Sequence, residues 1–534
     1  MAKAYNDDVD KIRPVEYPHM SSGVYLDHSG ATIYPKSAIE AFTQKMLTNL
    51  YGNPHSENSP AKLSGAIVDE VRKKTLSFLG ADPAHFDLIF VGNATAGVKL
   101  VAEAFRDLGE KTRSNSFWYG YHRDCHTSLV GVRELAYGQA HCFESDADVE
   151  KWLQNPQAAM INRHDHRSLG LFAYPGQSNL TGRRLPLEWA GHMRQTDNMQ
   201  NTYTLLDAAA LAMTCPMRRV FSDPVRAPDF TCISMYKIFG FPDIGALVVR
   251  RHSGHILSLR RYFGGGTVQA VGVIGDVFHR SKGQKGPGDK LHEGLEDGTL
   301  PFHNILALGE AIDTHMRLYI SMERISDHTH YLTMRMRRGL MLLRYPNGRP
   351  LCRVYHGGDD EKSAEMVTGD PANYGSAVAF NVLTWDGQYV PYREVEQLAN
   401  DARVFIRSGG VCNPGGIFAV LGYEPWMIQR AVQAGHICGN ESGVLHRMPT
   451  GVVRASIGAM TTRADVDALI TFLRTTFVER HDADPPSDHS SIASRPKSNS
   501  VQVTTMAVAA TNAATTATAT TTTTDILSLS PAHA

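Results

Sequence analysis

Residues 229–251 read DFTCISMYKIFGFPDIGALVVRR. An apolar run ends in one ammonium, Lys237, then breaks at FGFPD (239–243) and resumes as IGALVV (244–249). Both runs are rich in apolar and β-branched residues, and both predict strands. A single lysine between them needs a reason. Fixing its side chain costs about 2 kcal/mol of rotamer entropy, and burying its charge costs more. By itself the segment fits a lysine that snorkels from the edge of a buried layer. The sharper alternative is an amine whose pKa is lowered by desolvation so that it can form a Schiff base.

The flanking sequence alternates in the same way. SPAKLSGAIVDEVRKKTLSFLG (59–80) predicts an amphipathic helix with Leu63, Ile67, Val71 and Leu76 near one face. DLIFVGNATAGVKLVAEAFRDL (87–108) predicts strand, tight turn and helix, and NTYTLLDAAA (201–210) predicts a strand ending in Asp207. Strands alternating with helices imply an α/β layer with a mostly parallel sheet. Residues 304–344 form a long helical stretch that could bridge two domains. After it, YGSAVAFNVL, YREVEQLANDARVFIRSGG, GVVRASIG and TRADVDALITFLRTTF predict a smaller α+β unit. The expected organisation is an N-terminal tail (1–20), a large domain (21–310), a small C-terminal domain (311–480) and a tail (481–534). The tail contains polar, proline-bearing sequence and then a Thr/Ala tract, too poor in apolar surface to fold, so disorder is expected there.

The totals exclude several classes. At 534 residues the chain is too long for one compact core. With 53 Lys+Arg against 54 Asp+Glu it carries no electrostatic footprint for nucleic acid or an anionic membrane. Hydrophobic residues at 42% suit a soluble globular protein, and no run is long and apolar enough to span a bilayer. The start shows no signal-peptide pattern, so the cytosol is expected. The seven cysteines, at 125, 142, 215, 232, 352, 412 and 438, are odd in number and lack a C-x-x-C. Neither a disulfide framework nor a zinc ribbon is implied, and no metal site is expected.

In open α/β sheets ligands bind beyond the carboxyl ends of strands. FVGNATAGVK (90–99) puts Thr95 at such a turn, where free N–H groups of a helix start could hold a phosphate. An ordinary capped turn is the plainer reading. Asp207 could be a helix N-cap, or the carboxylate that keeps a pyridinium protonated. His126, in HRDCHTS, could be a surface histidine or a ring stacked on a cofactor. The order matters more than any one of them: phosphate turn, ring stacker, aspartate, then lysine about 30 residues later.

With that order, the chain resembles class V, fold-type I pyridoxal-phosphate enzymes, and within them the N-terminal, cysteine-desulfurase-like part of eukaryotic molybdenum cofactor sulfurases. The resemblance runs over about residues 21–480. It rests on VYLDHSGATIYPKSAIEAF, LYGNPHSENSPAK, FVGNATAGVKLVAEAF, LFAYPGQSNLTGRRLPL, LLDAAA, SMYKIFGFPDIGALVVRR, LEDGTLPFHNI, FIRSGGVCNPGG and GVVRASIGAMTTRADVDAL. It implies a fold-type I transferase with a large, mostly parallel domain and a smaller α+β domain, and pyridoxal 5'-phosphate as cofactor. Lys237 would be the internal aldimine lysine, Asp207 the pyridinium partner and His126 the residue over the ring. Ala94, Thr95 and Ser234 would bind the phosphate, and Asn179 would approach the ring oxygen. Thr299 would reach the phosphate of a neighbouring subunit in a homodimer. Arg454 would clamp the substrate carboxylate, with Asn179 beside it. Cys412, between glycines in SGGVCNPGG, would receive sulfur from L-cysteine or a related amino acid as a persulfide. The sulfur acceptor would be molybdenum cofactor or a partner protein. His436 and Cys438, in GHICGN, are expected to be packing or supporting groups.

Two departures from the family pattern bear on that expectation. Gly410 and Ile417 stand where the family often has further cysteines. The Thr/Ala tail stands where full-length sulfurases have a β-rich domain that binds molybdenum cofactor. A separate protein would then present the acceptor. Otherwise the enzyme would run other class V chemistry: a C–S lyase, an aminotransferase or a decarboxylating C–C bond former. A non-catalytic scaffold is a third expectation, opposed by the intact Lys237, Asp207 and Arg454.

Overall fold

The computed structural model describes residues 4–112, 115–137, 139–156, 169–282, 290–357, 373–433, 444–445 and 448–479. His436, Cys438 and the tail from 481 on lie outside the described residues.

Seven strands form the main sheet: β2 (Phe86–Val91), β3 (Trp118–His122), β4 (Ala140–Phe143), β5 (Gly170–Pro175), β6 (Thr202–Asp207), β7 (Phe230–Ser234) and β8 (Gly245–Arg250). They lie in the order β2-β8-β7-β6-β5-β3-β4. Only β8 runs against its neighbours, pairing antiparallel with β2 and β7; the pairs β7–β6, β6–β5, β5–β3 and β3–β4 are parallel. The carboxyl ends of the parallel strands therefore share one edge of the sheet. The two runs of residues 229–251 are β7 and β8, and every residue of β7 is buried. FGFPD breaks them apart because Gly240 is in a left-handed conformation (φ 81°), against the backbone of Ile33 and Tyr34. A Cβ there would sit 2.4 Å from the Tyr34 nitrogen, so only glycine fits.

Helices α3 (Ser59–Leu79), α4 (Ala94–Gly109) and α10 (Phe302–Tyr319) cover this sheet. In α3 the buried face is Ala61, Ser64, Val68, Val71, Thr75, Leu76 and Leu79. Val71 and Leu76 are on it as expected, Ile67 is half-buried and Leu63 is exposed. The apolar repeat had pointed one residue off the true face at its N-terminal end. The predicted long helix of 304–344 is two helices, α10 and α11 (Met322–Leu342). Ile320 adopts φ 69°, and Ser321 caps the second helix by accepting from Arg324 N–H. Helix propensity around "YISMER" hid that break.

A second sheet has four antiparallel strands in the order β11-β12-β17-β14: β11 (Cys352–Tyr355), β12 (Ala377–Val382), β14 (Arg407–Gly409) and β17 (Val452–Ser456). Its core is built with α11, α12 (Tyr392–Asp401) and α15 (Arg463–Leu473). Near the N-terminus, Arg13 of the helix Asp8–Glu16 forms an ion pair with Asp465 at 2.8 Å, and the Leu26 carbonyl accepts from Ser456 N–H.

Candidate active site

The strand ends deliver the polar residues one after another. After β7, Ser234 is buried and its Oγ accepts from Ala94 N–H (3.1 Å), the first residue of α4. Thr95, the next residue, is exposed, and Asn93 caps the helix through Ala96 N–H. At the end of β6, Asp207 is half-buried and its Oδ1 accepts from Ala209 N–H at 2.9 Å. That local turn is an Asx turn and caps no helix, because the next helix begins at Arg218; among the described residues its other oxygen takes no hydrogen bond or ion pair. Beyond β3, His126 begins the short helix Thr127–Val130. Its Nδ1 meets Ser128 Oγ at 2.9 Å, and Ser128 Oγ meets Thr95 Oγ1 at 2.7 Å. A hydrogen-bonded chain thus links the imidazole to the start of α4.

Lys237 sits in the single turn Tyr236–Phe239 after β7. Among the described residues its ammonium makes no hydrogen bond or ion pair. Burial pushes its pKa down; the guanidinium charges of Arg454 and Arg407 add to that, while Asp207 and Cys412 oppose it. Burial likewise lowers His126, helped by Lys237, Arg407 and Arg454 and opposed by Asp207. Both shifts favour the neutral base. These dependences also locate the groups: Lys237, His126, Asp207, Arg407 and Arg454 share one electrostatic neighbourhood, and Cys412 acts on both Lys237 and Arg454.

Arg454, on β17, is fully buried. It donates to the Asn179 carbonyl (3.0 Å) and to Asp27 Oδ1 (2.8 Å). Arg407 lies directly across from it in the β14–β17 register, half-buried. Neither Asp27 nor Arg407 was picked out from the sequence. Asp27 was inside a quoted motif, and Arg407 precedes Cys412 by five residues, but nothing in either stretch marks a charge that returns to the site through the second sheet.

Cys412 is exposed, and it and Val411 have left-handed backbone (φ 56° and 40°). For a β-branched valine that conformation is held only by surrounding contacts. Those contacts are present. Asn179 Nδ2 donates to the Val411 carbonyl (2.7 Å), and Thr127 N–H donates to the Cys412 carbonyl (2.9 Å). Asn413, fully buried, donates to Asn179 Oδ1 and to the Asp124 carbonyl and accepts from Gly416 N–H. A Cβ on Gly415 would come within 2.3 Å of the Arg123 carbonyl oxygen, so the loop docks against residues 123–127 by backbone contact. That segment is fixed in turn by Arg183, which pairs with Asp124 and Asp146. Asn413 was missed as a positioning residue; CNP had read only as a turn.

Thr299 is not brought to this group. It is exposed in the Gly298 turn and lines a separate cavity of about 530 Å³ with Gly92, Ala96 and Tyr262. Among the described residues no group of histidine, cysteine, aspartate and glutamate is arranged to hold a metal, and no helix is long and apolar enough to cross a membrane.

The residues fit pyridoxal phosphate. They supply an unpartnered amine with a lowered pKa, a carboxylate, an imidazole held neutral, and a helix start with hydroxyls for a phosphate.

The sequence matches the aminotransferase class-V family over residues 24–414. It is 48% identical over 477 residues to the molybdenum cofactor sulfurase of Botryotinia fuckeliana, covering 89% of this chain and 56% of that one. It is 46% identical over 476 residues to that of Aspergillus niger, covering 89% and 55%. The chain spans about half the length of these curated relatives. Its fold is that of the cysteine desulfurase of Thermococcus onnurineus (TM-score 0.63, 20% identity, 89% of this chain and 99% of that one) and of the cysteine desulfurase CsdA of Escherichia coli (TM-score 0.61, 18% identity, 88% and 98%).

Proposed function

The chain belongs to the aminotransferase class-V family, and from that premise we propose that it is a pyridoxal-phosphate-dependent sulfurtransferase. It takes sulfur from L-cysteine onto Cys412 and passes it to an acceptor, molybdenum cofactor or a protein that carries it. The observation that carries this reading is the placement of an exposed thiol, on a pinned left-handed turn, within electrostatic reach of the unpartnered Lys237. The relatives named molybdenum cofactor sulfurase support the choice of acceptor.

When bound, pyridoxal phosphate supplies the electron sink that weakens bonds around the amino acid's α-carbon. Lys237 Nζ would be its point of attachment and, when free, would hold and move the α-proton; a lowered pKa suits both tasks. Asp207 would hold the proton on the ring nitrogen, and His126, as a neutral imidazole, would cover the ring. Ala94, Thr95 and Ser234 would bind the phosphate, joined in a homodimer by Thr299 of the second copy. Asn179 would reach the ring oxygen. Arg454 draws in the substrate carboxylate, with Asp27 keeping the guanidinium oriented. The Cys412 thiolate attacks the substrate sulfur; the new S–S bond forms as the C–S bond breaks, and the carbon skeleton leaves as alanine. The compartment consistent with this chemistry is the cytosol, where thiols stay reduced.

Incubation with L-cysteine and pyridoxal phosphate is expected to yield alanine and a 32 Da gain (~32, one sulfur) on the peptide containing Cys412. Cys412→Ser should stop that gain and leave the visible absorbance of the bound cofactor intact. Pyruvate and ammonia in place of alanine would assign a C–S lyase instead.

A further inference from the structure

Cys412 has a second side. A cavity of about 790 Å³ opens on it, walled by β14, by the polar face of α12 and by the helix Pro414–Leu421. None of Lys237, Asp207, His126, Ser234, Ala94 or Thr95 lines it; Cys412 and Arg407 are common to the cavity and to the lysine's neighbourhood. Its size falls in the range of small-molecule sites, roughly 300–1,000 Å³. Its apolar wall includes Phe405 and Phe418, and α12 contributes Arg393, Glu396, Gln397 and Asn400. Two guanidinium groups, on Arg393 and Arg407, face one carboxylate, and Glu396 already accepts the Ser408 hydroxyl at 2.6 Å. Among the described lining residues, cationic groups therefore outnumber anionic ones.

We propose that this chamber is where sulfur leaves Cys412, and that it admits a small anionic nucleophile to the persulfide from the side away from Lys237. The inference rests on the sulfurtransferase reading for the sulfur and on the chamber's lining for the ligand class. In the step, the nucleophile (a thiolate in the simplest case) attacks the outer sulfur of the persulfide. The S–S bond to Cys412 breaks, its electron pair leaves as the Cys412 thiolate, and the acceptor carries off the sulfane sulfur. Donor and acceptor exchange one sulfur, so no oxidant or reductant is needed. Loading and unloading then use opposite sides of one thiol, and α12 is the wall that an acceptor meets.

The test uses probes that differ in charge and little in size. The holoenzyme is treated with sulfonatoethyl or trimethylammonioethyl methanethiosulfonate, and labelling of the Cys412 peptide is timed by mass spectrometry and scaled to a free thiol. The anionic reagent is expected to lead by about tenfold. Arg393→Gln should bring the two within about threefold of each other, and Gln397→Trp, at an exposed position on α12, should slow both at least about fivefold. In protein first loaded with L-cysteine, 2-mercaptoethanesulfonate should discharge the persulfide faster than cysteamine at equal thiolate concentration. The loading rate should be unchanged in both variants. Equal scaled rates for the two reagents, with normal loading, would overturn the chamber and leave the sulfurtransferase reading standing. Anion preference without any persulfide after L-cysteine would overturn the sulfur-exit role together with that reading.

Discussion

Lys237 stands one turn past a strand whose every residue is buried, while Cys412 stands exposed in a turn whose backbone is left-handed. The two groups, which the proposed mechanism assigns to one site, are built by different means. The lysine's environment comes from the main sheet: parallel strands end side by side, and residues at or just past their ends, Ser234, Asp207 and His126, inherit that alignment. Desolvation then does the chemical tuning, lowering both Lys237 and His126. The thiol's environment comes from hydrogen bonds between loops. Asn179, Thr127 and Asn413 hold the turn from three directions and leave Sγ accessible. A base that must lose its proton gains from burial; a nucleophile that must meet two partners in succession gains from access on a fixed backbone.

The comparison breaks most sharply at the lysine. Lys237→Ala is expected to abolish the visible absorbance of the bound cofactor's linkage and to cut cysteine turnover by ~10³-fold or more, the scale of a lost acid–base group. Turnover at the native rate would transfer the lysine's role elsewhere. The thiol side should be untouched: Cys412 in this variant should still be alkylated faster than the buried cysteines. Next comes Asp207→Asn. Asparagine would keep the turn to Ala209 N–H, since its side-chain oxygen accepts as well as a carboxylate does. It cannot supply the charge that stabilises a protonated ring nitrogen. The cofactor should therefore stay bound while turnover falls roughly 10²-fold. Near-normal activity would reduce Asp207 to the Asx-turn residue that holds Ala209 N–H.

The two halves of the comparison were not equally legible in the sequence. The lysine half was, because strand ends are written locally: an apolar run, then a polar residue, then a turn. That pattern marked Asp207 and Lys237 as well as the strands before them, whereas Ser234 entered only through the resemblance. The cysteine half was legible only as a motif. GGVCNPGG announced a turn with a thiol, but the residues that hold the turn are far away in the chain. Asn413 reaches Asp124 and Asn179, and Arg407 meets Arg454 through strand pairing. Contacts between residues distant in the chain have no local signature. The break between α10 and α11 was hidden for the opposite reason, since good helix formers surround one residue with positive φ. Thr299 belongs to neither half of this chain's own site, consistent with the role proposed for it across a dimer interface.

A smaller effect sharpens the thiol half. Asn413→Ala removes the donor to two carbonyl-type oxygens and the acceptor for Gly416 N–H; the bonds to Asp124 and Gly416 are buried and that to Asn179 is part-buried. Leaving those partners unsatisfied is expected to cost about 2–3 kcal/mol of stability, read as a lowered denaturant midpoint. With Val411 and Cys412 no longer held at positive φ, persulfide loading should slow by roughly tenfold, on the scale of a misplaced reacting group. The cofactor absorbance should stay normal. A parallel loss of that absorbance would mean that the turn supports the lysine side as well, and the division between the halves would fail.

The smallest expected effect concerns the frame that both halves lean on. His28, His315 and His328 are buried, and burial lowers their pKa values to about 3, 4 and 4. His28 and His328 both touch Thr461, just past the strand that carries Arg454, at 3.2 and 2.9 Å. His315 lies among Phe78, Phe239 and Tyr319, its Nε2 without a hydrogen-bond partner among the described residues. In the unfolded chain a histidine titrates near its ordinary value of about 6.5. Below that pH the unfolded state binds protons that the folded state refuses, so stability is complete above about 6.5 and is lost as pH falls toward the folded values. Between pH 7 and 6 each histidine should contribute a loss of somewhat under ~1 kcal/mol, measurable by urea unfolding at the two pH values. His315→Phe fits the same aromatic surroundings and removes one of the three titrating groups. Its loss of stability over that interval should be smaller by somewhat under ~1 kcal/mol, with cysteine turnover at pH 7 unchanged. An undiminished slope would mean that His315 is protonated in the folded chain, and that its place among the three aromatic rings does not exclude the charge.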